Sequence, residues 1–221
     1  MLVSNPNPLR WAPFDLVSDS KTDFVNGLKK LAGAGDEKIR HGLSIYVYVC
    51  NDSMNQKAMF SSDGDMLFVP QQGVLKIRTE FGRMQVRPGE ICVLQQGMRF
   101  SIDLTESGTC ARGYVLEVFD GHFTLPQLGP IGANGLAAPR HFLSPTAHVE
   151  DSIDETKSTE YTLINKFQGR LFSAKQSHSP YDVVAWHGNY VPYKFDLSYF
   201  MTINTVSFDH CVSSEIKTKF L

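Results

Sequence analysis

The sequence predicts an all-β protein, a sandwich or barrel of short strands with one short N-terminal helix. Apolar and polar residues alternate in short runs through most of the 221 residues, and glycine interrupts these runs at intervals of about eight to twelve residues. Only one segment has the apolar spacing of a helix, so strands and helices do not alternate as they do in βαβ units. This rhythm is typical of a sandwich or a barrel.

The N-terminal part, residues 1–37, is predicted to be an extended leader followed by the helix. Three prolines near the start push the residues that precede them away from helical geometry. The helix is expected over "KTDFVNGLKKLAGAG", residues 21–35, where Thr22 or Asp23 can cap the first turn and two glycines end the last turn. The apolar positions with helical spacing are Phe24, Leu28 and Leu31.

Residues 38–214 are predicted to form one β domain. Strands are expected in "HGLSIYVYVCN", in the stretch from "GDMLFVPQQG" to "GMRFSIDL", and in "ARGYVLEVFDGHF". A long loop rich in glycine and proline is expected over residues 124–160. Strand-like runs return after it in "YTLINKFQGRLFSAK", "DVVAWHGNYVPYKF" and "YFMTINTVSF".

Charge, hydropathy and cysteine content exclude several classes of protein. A net charge of −2 gives no basic surface for nucleic acid, and no apolar run approaches the roughly 18 residues of a membrane span, so neither is predicted as a partner. No basic segment leads into an apolar one near Met1, so no signal peptide is predicted. Four cysteines without CxxC spacing predict reduced thiols in the cytoplasm.

The histidines are the residues most able to carry chemistry here. Six of them have no second ligand at metal spacing and are interpreted as surface, turn or structural residues: His41, His122, His141, His148, His178 and His187. His210 differs because strand alternation in "TVSFDH" puts it on the same face as Val206 and Phe208. A metal ligand, a catalytic base and a core histidine all stay open for His210 on the residues alone.

The stretch "RPGEICVLQQGMRFSI" resembles the second conserved motif of the cupins. Gly89 and Glu90 stand where that motif has its Gly-Asp pair, Gly97 stands at the turn, and Phe100 stands where cupins have a metal-binding histidine. The cupin His-x-His is missing from the matching upstream segment, "AMFSSDGD". The resemblance implies a cupin-like jelly roll whose metal pocket is filled by side chains, with no metal ligand in this chain.

The segment "LGPIGANGLAAPRHF", residues 128–142, resembles homogentisate 1,2-dioxygenases, the ring-cleaving iron enzymes of tyrosine and phenylalanine catabolism. The match runs in register through "NPLRWAPFDL", "DFVNGLKKLAGAGD", "FSSDGDMLFVPQQG", "TEFGRMQVRPGEICVLQQGMRFSID" and "DVVAWHGNYVPYKF" to "FDH". It covers residues from about 5 to 214 and leaves 215–221 as a divergent tail. The resemblance thus implies a family protein truncated at both ends.

The resemblance implies an activity for the complete protein. The family opens the ring of homogentisate to maleylacetoacetate with O₂ and Fe(II), which is held by two histidines and a glutamate. Those ligands belong to a C-terminal portion absent from this chain, so no iron is expected in the chain alone, and substrate-binding residues stay unknown. His210 matches the "FDH" histidine, the proposed acceptor of a proton from a ring hydroxyl.

The family's assembly as hexamers of paired trimers implies self-association. An alternative from another class is a non-enzymatic, metal-free cupin module that acts in subunit assembly.

Overall fold

Two six-stranded β-sheets make up the protein in the computed structural model. The structure describes residues 15, 20–105, 109–125, 137–148, 160–182 and 190–199. The strands are β1 Leu28–Asp36, β2 His41–Cys50, β3 Lys57–Ser61, β4 Asp65–Gln72, β5 Leu75–Thr79, β6 Gly82–Val86, β7 Glu90–Leu94, β8 Phe100–Leu104, β9 Ala111–Val118, β10 Tyr161–Phe167, β11 Arg170–Gln176 and β12 Tyr193–Asp196.

Eight of these strands have jelly-roll topology. One sheet contains the order β2-β9-β4-β7 and the other the order β3-β8-β5-β6, so strands adjacent in sequence mostly fall in opposite sheets. This interleaving is that of the eight-stranded jelly roll, the architecture to which cupins belong. The predicted all-β, cupin-like jelly roll is therefore confirmed.

Four further strands extend the two sheets. β1 and β12 flank the first sheet, which runs β1-β2-β9-β4-β7-β12, and β10 with β11 extend the second, which runs β11-β10-β3-β8-β5-β6. β10 runs parallel to β3 and antiparallel to β11. One lateral side of the sandwich therefore carries β1 and the β10–β11 hairpin, and the other carries β12 and β6.

The predicted N-terminal helix exists but is much shorter than expected. Helix α1 comprises Phe24–Gly27, and the side chain of Asp23 caps it by accepting a hydrogen bond from the Asn26 amide at 2.9 Å. The prediction of helix over residues 28–35 is wrong, because those residues form most of β1 and pair with β2. The backbone of Gly27 lies so close to the Val49 carbonyl that a Cβ would approach its oxygen to 2.0 Å.

Strand pairing thus overrides the helical spacing of the leucines after Gly27. The division of the chain at residue 37 stays a prediction, although β1 lies before it and belongs to the first sheet. Of the long loop predicted over 124–160, the described part contains a short 3-10 helix, Pro139–His141, and an isolated bridge between Leu143 and Lys194. Two other short 3-10 helices occur at Glu37–Ile39 and Leu197–Tyr199.

No helix among the described residues has the length and apolarity to cross a lipid bilayer.

Candidate functional site

The residues that resemble the cupin motif lie where the resemblance expects them. Gly89 and Gly97 have φ of +88° and +84°, values that favour glycine, so each sits at a turn beside β7. Phe100 opens β8 and is fully buried between the sheets. Its ring lies 5.6 Å from that of Phe68 and 6.1 Å from that of Phe24. Phe100 is therefore packed among aromatic rings between the sheets, and a filled metal pocket stays a prediction.

The interior of the barrel does not suit Fe(II). The described residues contain no group of three or more histidine, cysteine, aspartate or glutamate side chains that could hold a metal ion. Cys50 and Cys92 are buried in the core, but burial raises the pKa of Cys50 to about 12 and also raises that of Cys92. A thiol held in its protonated form is a poor metal ligand, so the described residues do not fit the iron that the resemblance implies for the complete protein.

Asp65, His122 and Tyr190 form a hydrogen-bonded cluster of polar side chains at the surface. Asp65 begins β4 and has no exposed surface, whereas His122 and Tyr190 are about half exposed. The Asp65 carboxylate lies 3.1 Å from His122 Nδ1, and it accepts a hydrogen bond of 3.2 Å from the Tyr190 hydroxyl. The same carboxylate also accepts backbone hydrogen bonds from Gln96 at 2.8 Å and Phe123 at 3.1 Å.

These contacts fix the orientation of the His122 imidazole ring. With Nδ1 directed at the carboxylate, the Nδ1–H tautomer of His122 is favoured and Nε2 is left as a hydrogen-bond acceptor. Burial and the nearby Asp65 carboxylate raise the pKa of Tyr190, so its phenol stays neutral and donates. The cluster can hold or accept a proton at His122. It also holds the segment of residues 122–123 and the segment that contains Tyr190 against the start of β4.

A second polar cluster is buried between the two sheets. Lys166 of β10 reaches Asp63 at 2.5 Å and Glu117 of β9 at 2.9 Å, and all three side chains are at least 95% buried. Tyr46 donates a hydrogen bond of 2.9 Å to Glu117, and Ser61 donates a short one to its other oxygen. The ammonium also lies 5.8 Å from the centre of the Tyr46 ring. Each of the three charged groups has an oppositely charged partner within hydrogen-bond distance, as burial of charge requires, although one ammonium is shared by two carboxylates.

The remaining described histidines make local contacts at the surface. His41 opens β2, as predicted, and its Nδ1 lies 3.2 Å from Asp120. His178 Nδ1 lies 2.8 Å from Asp182, and the ring of His141 packs at 4.8 Å from that of Tyr199. His148 is exposed. His187 and His210 lie outside the described residues.

Inspection of the sequence missed both polar clusters. Their members come from distant parts of the chain: Lys166 lies 103 residues from Asp63, and Tyr190 lies 125 residues from Asp65. A local signal existed only for Lys166, a charged residue within the strand-like run "YTLINKF".

A family model described as "Homogentisate 1,2-dioxygenase N-terminal" matches residues 1–197. The chain belongs to the homogentisate 1,2-dioxygenase family. It is 59% identical over 209 residues to the homogentisate 1,2-dioxygenase of Drosophila melanogaster, 58% identical over 208 residues to that of Homo sapiens, and 56% identical over 207 residues to that of Arabidopsis thaliana.

The matches cover 93–94% of this chain but only 43–46% of those three dioxygenases. The chain therefore spans less than half the length of the family members it matches, and the part it matches is the N-terminal one.

Among solved structures, the alignment with a cupin-2 domain protein from Shewanella frigidimarina covers 41% of this chain and 78% of the Shewanella chain, with 14% identity and a TM-score of 0.33. This overlap is too low to add to what the strand order shows.

Proposed function

We propose that this chain is the N-terminal portion of a homogentisate 1,2-dioxygenase. The complete protein would cleave the ring of homogentisate with O₂ to give maleylacetoacetate, in cytoplasmic catabolism of tyrosine and phenylalanine. The observation that carries this proposal is identity of 56–59% to dioxygenases from an insect, a mammal and a plant across almost the whole chain. Such identity accompanies a shared fold and supports a shared activity of the complete proteins.

The chain alone is proposed to be inactive. Fe(II) would supply the site that binds substrate and activates O₂, and its ligands are proposed to belong to the portion of the protein that follows this chain. The described residues supply no such ligand set, and the barrel interior beside Phe100 is apolar. The proposed contribution of this chain is therefore a rigid barrel that supports the iron-binding portion and neighbouring subunits.

His210 is proposed as the acceptor of a proton from a ring hydroxyl of homogentisate. This role rests on the match of "FDH" to the family, and an imidazole with a pKa near neutrality suits it. The residue lies outside the described residues, and a functional measurement tests the role.

The alternative, a metal-free module that acts in subunit assembly without catalysis, is favoured by one observation. The β10–β11 hairpin exposes large apolar side chains at the edge of a sheet, as a surface made for another protein segment would. In this alternative the chain would bind full-length dioxygenase subunits and add no activity.

The two functions are separated by a complementation experiment. The chain is purified alone, and also after coexpression with the remaining N- and C-terminal portions of the human relative, and each sample is loaded anaerobically with Fe(II). Iron content and homogentisate-dependent O₂ uptake are then measured. We expect neither in the chain alone and both in the coexpressed complex. Binding of these portions to the chain without turnover would support the assembly module, and turnover by the chain alone would contradict both functions.

The role of His210 is tested in the active complex with His210→Asn. A general base contributes about 10²–10⁴-fold in rate, so kcat should fall within that range while iron content stays unchanged. A structural histidine would instead lower the melting temperature and leave turnover per iron intact. A metal ligand would lose iron and activity together. His148→Asn serves as the control, because His148 is exposed.

A further inference from the structure

The outer face of the second sheet carries a cleft that the functions proposed above do not use. It is formed by β5, β6 and β8 together with the segment between β2 and β3, and its volume is about 660 Å³. Sites for small organic molecules typically have volumes of roughly 300–1,000 Å³. The cleft therefore has the size of a ligand site, and its chemistry indicates which ligand it would take.

The charged side chains of the cleft are mostly cations. Three positive charges and one negative charge give a formal charge of +2, on a chain whose net charge is −2, and they belong to Lys76, Arg78, Arg83 and Asp103. All four lie on the outer face, because buried residues alternate with more exposed ones along β5 and β6 and Asp103 is the one residue of β8 that is not buried. This concentration of positive charge favours an anion as the ligand.

The uncharged polar side chains of the cleft suit an anion as well. They are those of Ser53, Asn55 and Gln85, and each has a hydroxyl or an amide group that can donate a hydrogen bond. Asp103 is thus the only polar side chain of the lining without a donor group when it is ionised. A lining rich in donors is what an oxyanion requires.

Two of the cations oppose each other across the hairpin of β5 and β6. Arg78 pairs directly with Arg83 in the strand register, so their side chains are neighbours on one face of the sheet. Like charges in directly opposed positions destabilise an antiparallel pair. An oxyanion between the two guanidinium groups would remove this repulsion, because guanidinium binds carboxylate and phosphate oxygens through parallel hydrogen bonds.

Arg78 is already held in place for such a contact. Its Nε lies 2.9 Å from the Asp103 carboxylate, and its guanidinium carbon lies 5.5 Å from the centre of the buried Tyr181 ring. Only 21% of the Arg78 side chain is exposed. A side chain that is fixed before binding loses little conformational entropy on binding, so Arg78 is preorganised for a ligand.

We propose that this cleft binds a small organic dianion, one that carries a phosphate group or two carboxylates, between Arg78 and Arg83. Two negative charges on the ligand would match the formal charge of the cleft. Lys76 would add a third cationic contact from the same face of β5. The site is separate from ring cleavage and holds or fails independently of it, because its tests need neither iron nor homogentisate.

The first test is calorimetric titration of the 221-residue chain with inorganic phosphate and with succinate. A slightly alkaline buffer of constant ionic strength keeps both probes largely dianionic. We expect saturable binding of at least one probe within roughly 0.1–20 mM. Binding of phosphate alone would identify phosphorylated compounds as the ligands, and binding of succinate alone would identify dicarboxylates. Absence of saturable binding for both probes would overturn the proposal.

The second test changes the cleft without changing the rest of the protein. Arg83→Gln should weaken binding by about tenfold or more. Arg83→Lys keeps the charge but loses the paired hydrogen bonds, so it should also weaken binding, by a smaller factor. Arg170→Gln is the matched control, because Arg170 is exposed on β11 at the opposite edge of the same sheet. Equal binding by the Arg83→Gln and Arg170→Gln variants would overturn the site.

A third test asks whether carboxylates of the same chain compete for the cleft. Thr146 lies against Gly82, next to Arg83, and the sequence that follows it is acidic. One variant therefore combines Glu150→Gln, Asp151→Asn, Asp154→Asn and Glu155→Gln. We expect it to bind the probes as the unchanged chain does. Binding that is found only in this variant would overturn a ligand site, because the chain's own carboxylates would then occupy the cleft.

Discussion

Replacing Lys166 with methionine tests how the buried charge cluster holds the two sheets together. The substitution keeps most of the side-chain volume but removes the only cation that contacts Asp63 and Glu117 within the described residues, at 2.5 and 2.9 Å. Both carboxylates are at least 98% buried, so they cannot turn to water for compensation. Removing one partner of a buried ion pair costs about 3–5 kcal/mol. That loss is a large share of the roughly 5–15 kcal/mol by which a domain is stable.

The free energy of unfolding in urea measures this loss. Lys175→Met is the matched control, because Lys175 forms an ion pair of 2.6 Å with Glu160 but is exposed, and its loss should not be measurable. Glu117→Gln in the Lys166→Met background should recover part of the stability. Asp63→Asn in the same background should also recover part, since each carboxylate keeps two hydrogen bonds without Lys166, Asp63 from the backbone of residues 168 and 169 and Glu117 from Tyr46 and Ser61. A loss below about 1 kcal/mol for Lys166→Met would refute the argument.

Further substitutions, a pH series and an alkylation experiment probe the core and the surface cluster. Phe100→Ala should lower the free energy of unfolding by about 3–5 kcal/mol in urea, and near-neutral behaviour would mean that the barrel interior is not packed around this ring. Asp65→Ala removes the acceptor of two part-buried backbone donors, those of Gln96 and Phe123, and should cost about 1–3 kcal/mol. His122→Ala should cost less, and equal losses would contradict the central place of the carboxylate. Burial raises the pKa of Cys50 from 9.0 to about 12. The contribution of this neutral, buried thiol to the free energy of unfolding is therefore complete below pH 9 and is lost as the pH rises towards 12. Unfolding measured at several alkaline pH values should show this decline, and Cys50→Ala should show a shallower one. Iodoacetamide should alkylate half-buried Cys110 well before Cys50, and equal rates would show that the core opens readily.

The strands were predictable because their signal is local. Alternation of apolar and polar residues marks β2, β4 and β9, and glycines with positive φ stand at the turns that the cupin resemblance expects. The helix was overextended because Leu28 satisfies two patterns at once, helical spacing after Phe24 and the start of β1. Only the neighbouring strand β2 decides between them, and that neighbour is not visible in the local sequence.

The polar clusters were not predictable for a different reason. Asp63 and Asp65 both stand in "SSDGDM" among other polar residues, and nothing in that segment shows that both carboxylates are buried. The pairing of Lys166 with Glu117 depends on how β10 is placed across the sandwich from β9. The family resemblance supplies the activity of the complete protein, but it says nothing of these contacts.

The parallel pairing of β10 with β3 has a consequence for biosynthesis. Thr162 pairs with Lys57, so the edge of β3 gains its neighbour only after more than a hundred further residues have been made. At a synthesis rate of about 5–20 residues per second, that interval lasts roughly 5–20 s. During this time the strands from β2 to β9 can assemble while β3 remains an open edge on the ribosome. The entropic cost of closing so long a loop slows the formation of this contact. The nascent chain is therefore most exposed to incorrect strand pairing in that interval. A chaperone that binds β3 would act during it.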